Sequence, residues 1–240
     1  MSSEHMVKGY DEELRRLNNI ITEMGGLTES QLATAIDAVV ERDSELAASV
    51  VEADTRVDQL QRDLDNLALR LLALRQPVAR DLREIFAALK IASDLERMCD
   101  YAANIAKRSI ALDQAPPAQP VFALPRMARL AQVLVKDVID AYVARDADKA
   151  YAVWMRDEEL DEMYGSLFRE LLTYMMEDPR NIGASTHLLF MAKNIERIGD
   201  HATNIAEDLY YLVHGTPLTQ KRPKGDNSNL EVVAPGRTEP

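Results

Sequence analysis

Apolar residues recur at three-to-four-residue steps along most of this chain, in long stretches free of proline, and they predict six helices in two sets of three. Over residues 10–40 the stripe is Leu14, Leu17, Ile21, Met24, Leu32, Ile36 and Val39. Gly25 and Gly26 interrupt it, and each costs roughly 1 kcal/mol relative to Ala in a helix. A close packing contact is therefore expected there. A second helix opens with Asp43-Ser44 as its cap and runs through Val57, Leu60, Leu64, Leu67, Leu71 and Leu74, about 30 residues or roughly 45 Å. Gln76-Pro77 ends it, because the residue before proline disfavours the α region, and Pro77 can open the next helix. The third helix continues to Leu112.

Four of the ten prolines, Pro116, Pro117, Pro120 and Pro125, crowd into residues 113–125, a linker by composition. Beyond it the order recurs. A helix is predicted over 126–144, a second over 146–176 through Val153, Leu160, Met163, Leu167 and Leu171, then a corner at Asp178-Pro179 and a last helix to about Val213. From Gly215 on, Lys, Arg, Gly, Pro and Asn dominate, so residues 215–240 are predicted to be a disordered tail. The expected fold is all-α: two tandem, pseudo-symmetric three-helix bundles, 1–112 and 126–214, made of six long helices.

The halves are also related by an internal repeat. Residues 189–207, LFMAKNIERIGDHATNIAE, lie over 89–107, LKIASDLERMCDYAANIAK, without a gap. Nine of the nineteen positions are identical, where composition alone gives roughly one. In each copy one face is apolar, as at Leu95, Met98, Ala102 and Ile105. Glu96, Asp100 and Asn104 climb the opposite side at i, i+4, i+8. Like charges at i, i+4 destabilise an isolated helix by roughly 0.2–0.5 kcal/mol, so the acid stripe asks for an explanation. Short residues flank it, Ala92, Cys99 and Ala103 in one copy and Ala192, Gly199 and Thr203 in the other, which leaves room for a bulky ligand.

Two further acid pairs sit in the middle helix of each unit: Asp54 with Asp58, and Asp157 with Asp161. Antiparallel packing would bring Asp54/Asp58 to Glu96/Asp100, and Asp157/Asp161 to Glu196/Asp200. Four carboxylates make a hard, oxygen-rich set, which selects iron, manganese or magnesium over copper or structural zinc. The ordinary alternative is a solvated acidic face, since acids fill 40 of 240 positions. Other chemistries lack their residues. The positions three before His187, His201 and His214 are Ala184, Ile198 and Tyr211, so the Glu-x-x-His of bundle di-iron sites is missing. There is no GxxxxGK and no GxSxG, and no catalytic residue is assigned. Cys99 reads as a small helix residue, and Trp154 and the tyrosines as core or interface. His201 adjoins Asp200, but Tyr101 replaces it in the other copy.

A formal charge of -12 with no long Lys/Arg run argues against a nucleic-acid surface and suits a cation or a basic partner. One cysteine allows no intramolecular disulfide and fits a reducing cytoplasm. No apolar run of about 18 residues appears, so any membrane connection is expected to go through a partner.

The doubled motif, LERMCDYAANIA and IERIGDHATNIA, resembles the signature of the PhoU family of phosphate-transport accessory proteins. MGGLTESQL from Met24, RQPVARDLR from Arg75 and MEDPRNI from Met176 follow in the order expected, and the likeness spans residues 10–212. It implies E(D)-x-x-x-D motifs that bind multinuclear iron, or else manganese, magnesium or zinc, at Asp54, Asp58, Glu96, Asp100, Asp157, Asp161, Glu196 and Asp200. It also implies a cytoplasmic, non-enzymatic, homodimeric negative regulator of the phosphate-starvation response. Such a protein links the ATPase of a phosphate ABC transporter to a sensor histidine kinase. Cys99 and Tyr101 stand where the second copy has Gly199 and His201, so the two sites need not be equal. The competing classes are a metal-dependent phosphohydrolase using paired ions to activate water and a plain metal-binding helical scaffold.

Overall fold

The computed structural model describes residues 2–75, 77–113, 123–220 and 222, with side chains from Tyr10 on, Arg75 excepted. Six long helices account for nearly all of it: α1 (Ser2–Glu41), α2 (Ser44–Arg75), α3 (Ala79–Asp113), α4 (Ala123–Ala144), α5 (Ala147–Glu177) and α6 (Ile182–His214). A 3-10 turn, Pro179–Asn181, makes the predicted corner before α6. α1–α3 form one antiparallel bundle and α4–α6 the other, as the two stripes of apolar residues require. α4 begins at Ala123, inside the stretch predicted as linker. Pro125 falls in its first turn, where a missing N–H costs nothing. Of that linker residues 114–122 lie outside the described residues, as does all of the predicted tail except 215–220 and 222.

The bundles meet through α3 against α6 and α1 against α4, and their buried residues form one continuous apolar cluster. Gly25 marks the second contact: a Cβ there would lie 2.9 Å from Ile139 Cγ1, whereas one on Gly26 meets nothing within 4 Å. The expected close contact thus belongs to Gly25 alone. Polar pins cross between α3 and α6 as well. His201 Nδ1 lies 2.6 Å from Asp94 Oδ1, and Lys90 pairs with Asp208.

Both units turn their first corner in the same way. Arg42 and Arg145 adopt the left-handed region, each with φ 55. The next N–H, of Asp43 or Asp146, donates to Ala38 O at 3.0 Å or Ala141 O at 2.9 Å, closing the preceding helix. The same aspartate then caps the following helix: Asp43 Oδ1 accepts from Leu46 N and Asp146 Oδ1 from Lys149 N, both at 2.9 Å.

Candidate functional site

The predicted pairs come together as two separate clusters of four carboxylates, one on α2 and α3, the other on α5 and α6. In the first, burial raises the pKa of Asp54, and the charges of Asp100 and then Asp58 raise it further. Burial likewise raises Glu96, followed by the charge of Asp100, with Arg97 opposing. These mutual influences place all four carboxylates in one field. The cluster faces solvent: the Arg97 guanidinium reaches Asp100 at 3.5 Å, and Arg62 reaches Asp58 at 3.7 Å. Beneath it Cys99 is fully buried, with its thiol 3.3 Å from the Thr28 hydroxyl and pushed up to about 12 by burial. A thiol held protonated in this way is not a nucleophile.

The second cluster is drier. Asp157, Asp161 and Glu196 are 0 %, 2 % and 5 % exposed. Burial drives the Asp157 carboxyl up to about 6 although a guanidinium opposes it. Burial also drives Glu196 to about 7, with Lys193 donating to its Oε1 at 2.7 Å. Asp157 Oδ1 and Glu196 Oε2 are buried with no hydrogen-bond partner. Gly199 explains part of the difference between the clusters. A Cβ on it would stand 2.5 Å from Leu160 Cδ2 and 2.9 Å from Asp157 Oδ1, so the bare glycine lets α5 press Asp157 against the α6 backbone. Cys99, the equivalent residue, carries a side chain and turns it toward α1. The short residues flanking the acid stripe are therefore explained by helix packing, not by the ligand seat expected from the sequence.

One residue of this cluster escaped sequence reasoning. Arg222, in the stretch predicted as tail, donates through Nη2 to Asp157 and, at 2.6 Å, to Asp200 Oδ1. Its contacts are 65 and 22 positions away in the chain, and no local pattern signals them. His201 turns away to Asp94 across the bundle interface and does not join the acids.

The donor set suits a hard cation, and the two orphaned oxygens, Asp157 Oδ1 and Glu196 Oε2, are what a cation would satisfy. Among the described residues, however, no three Asp, Glu, His or Cys side chains are gathered into a set that could hold a metal ion. In the second cluster the Arg222 guanidinium already sits between two of the acids. Loading it requires that guanidinium to leave.

The family model for the PhoU domain matches this chain twice, over residues 21–109 and 124–209, one match in each bundle. The chain is 54 % identical over 225 residues to the phosphate-specific transport system accessory protein PhoU homologue of Caulobacter vibrioides, covering 93 % of this chain and 98 % of the relative. It is 50 % identical to the homologue of the same name from Rhizobium meliloti, covering 94 % and 96 %. The fold is similar to the crystal structure of PhoU from Pseudomonas aeruginosa, with a TM-score of 0.83 at 39 % identity over 86 % of this chain and 100 % of that one. The phosphate transport system regulatory protein PhoU from Streptococcus pneumoniae gives 0.81 at 31 % identity, over 88 % and 100 %.

Proposed function

Because this chain belongs to the PhoU domain family, we propose that it is a non-enzymatic adaptor that represses the phosphate-starvation response and modulates high-affinity phosphate uptake. It joins the ATPase of a phosphate ABC transporter to a sensor histidine kinase, in the cytoplasm and as a homodimer. Membership supports an accessory role in phosphate transport directly. The finer reading rests on the observation that both bundles match the family over nearly the whole length of relatives bearing that name. No described helix is long and apolar enough to cross a membrane, which suits a protein that reaches the transporter by docking.

The two acid clusters hold hard cations in this reading, iron first and manganese, magnesium or zinc next. The residues are Asp54, Asp58, Glu96 and Asp100 in one unit and Asp157, Asp161, Glu196 and Asp200 in the other. A bound ion supplies positive charge that lets buried carboxylates ionise together and so stiffens the helix pair.

Deleting the gene tests the regulatory role. Phosphate-starvation promoters should fire in phosphate-rich medium, measured with a reporter, and plasmid-borne wild type should silence them again. Normal repression in the deletion strain would sink the proposal.

A further inference from the structure

At the end of the molecule where α3 begins and α6 finishes, Arg80, Arg83, Glu84, Arg145, Leu212 and Val213 line a cavity of about 280 Å³. Three arginines on one cavity stand out in a chain of net charge -12. Arg80 and Arg83 have no ion-pair partner among the described residues. Arg83 Nε and Arg145 Nη1 are buried with no acceptor. A buried donor left unpaired costs about 1–3 kcal/mol, more when it is charged.

The carboxylate in the lining does not cancel this field. Glu84 Oε1 is held by Arg145 Nη2 and accepts from Asn18 Nδ2 at 3.1 Å. Among the lining side chains, three guanidinium groups less one carboxylate leave two positive charges, with Asp81 in the first turn of α3 as a further acid nearby. The N-terminus of α3 and the C-terminus of α6 contribute about half a charge each, of opposite sign, and so nearly offset one another.

The first bundle shows what an arginine at this corner does when its role is structural. Arg42, which has the same left-handed backbone as Arg145, donates to the carbonyls of Leu112 at 3.0 Å and Asp113 at 2.9 Å and closes the end of α3. Among the described residues Arg145 makes no such bond to α6. Gly215 closes that helix, with φ 72 and its N–H on Tyr211 O at 2.8 Å. The arginine of the second corner instead pairs with Glu84, donates to Asn18 Oδ1 at 3.3 Å and lies over the Tyr142 ring, and its Nη1 is left without an acceptor.

We propose that this cavity binds a small oxyanion of the phosphate class, free inorganic phosphate being the source its size and charge favour. A carboxylate would occupy one planar guanidinium fork and leave the others unused. A tetrahedral dianion matches two net positive charges and accepts from several directions. The cavity is at the small end of ligand pockets, room for one such ion and some water. This site is separate from the acid clusters and does not depend on the regulatory reading.

Equilibrium dialysis of the full chain against radiolabelled inorganic phosphate tests it, with Arg80→Gln/Arg83→Gln beside the wild type and circular dichroism to verify folding. Saturable binding of one phosphate per chain is expected, weakened about 10-fold for each charge-assisted hydrogen bond removed. Should the double variant fail to fold, Arg80→Gln alone, on an exposed side chain, is expected to weaken binding several-fold. Phenyl phosphate serves as the second arm. If it binds more tightly than inorganic phosphate, the oxyanion comes from a phosphoryl group on a larger ligand, and weaker binding supports the free ion. No saturable uptake by the wild type up to about 10 mM phosphate, or equal binding by the folded variants, overturns the proposal.

Discussion

Burial makes Asp157 and Glu196 weaker acids than surface carboxyls, and this has a consequence for stability. Their pKa values of about 6 and about 7 lie above the unfolded-chain values of roughly 3.9 and 4.3. The folded protein therefore binds more protons than the unfolded one between about pH 4 and pH 7. The stabilisation is full below that range and is lost as pH rises through it. With chelator present, the urea midpoint should fall between about pH 4 and pH 7, by a free energy on the order of 1–3 kcal/mol, and Glu196→Gln should flatten the curve. An equally steep fall in that variant would count against the assignment. Metal should reverse the trend, because a cation favours the ionised carboxylates and the guanidinium of Arg222 competes for them. Arg222→Ala is accordingly expected to tighten Mn²⁺ binding at about pH 8 by about 10-fold in a calorimetric titration, while Glu196→Ala/Asp200→Ala should lose one site. Equal affinity with and without Arg222 would show that its contact does not gate the cluster. The eight acids were legible in the sequence because i, i+4 spacing is local and each pair was repeated. Arg222 was not: a lone arginine in a proline- and lysine-rich stretch has no periodicity, and its partners are defined only by the folded helices.

At the scale of elements, two glycines make opposite predictions. Gly199 is filled to the limit by Leu160 and Asp157, while Gly26 faces open space. Gly199→Ala should force α5 and α6 apart and cost about 1–3 kcal/mol. Gly26→Ala has nothing to displace and should stabilise α1 by up to about 1 kcal/mol. Chemical denaturation of the two variants decides; a neutral Gly199→Ala would mean that the α5–α6 contact yields easily. The helices themselves were readable from periodicity and proline placement, with ends within a few residues except at α1, which begins at Ser2, eight residues before the stretch predicted over 10–40. Which short residue was packed and which was free was not readable, since that depends on the neighbour across the interface. The Arg-Asp corners were half seen. Asp43 stood out as a cap and Asp146 only as the start of a helix, whereas a non-glycine residue at positive φ carries no mark in the sequence.

The two repeats invite the view that the molecule is a pair of independent domains, and the packing argues otherwise. Residues of both bundles belong to one apolar cluster. The surfaces of α3 and α6 that meet across it include Asp94, Asp208 and His201, whose partners are on the other repeat. Gly25 and Ile139 interlock on the α1–α4 side. Separating the halves would expose apolar surface at roughly 25 cal/mol per Å² and strip these polar groups of their partners. Neither half then has a favourable state of its own to populate while the other unfolds. Calorimetry on the whole chain should therefore show a single transition whose van't Hoff and calorimetric enthalpies agree. Two resolved transitions would show that the bundles fold separately. Under one transition, a ligand that binds either acid cluster should raise the melting temperature of both bundles together.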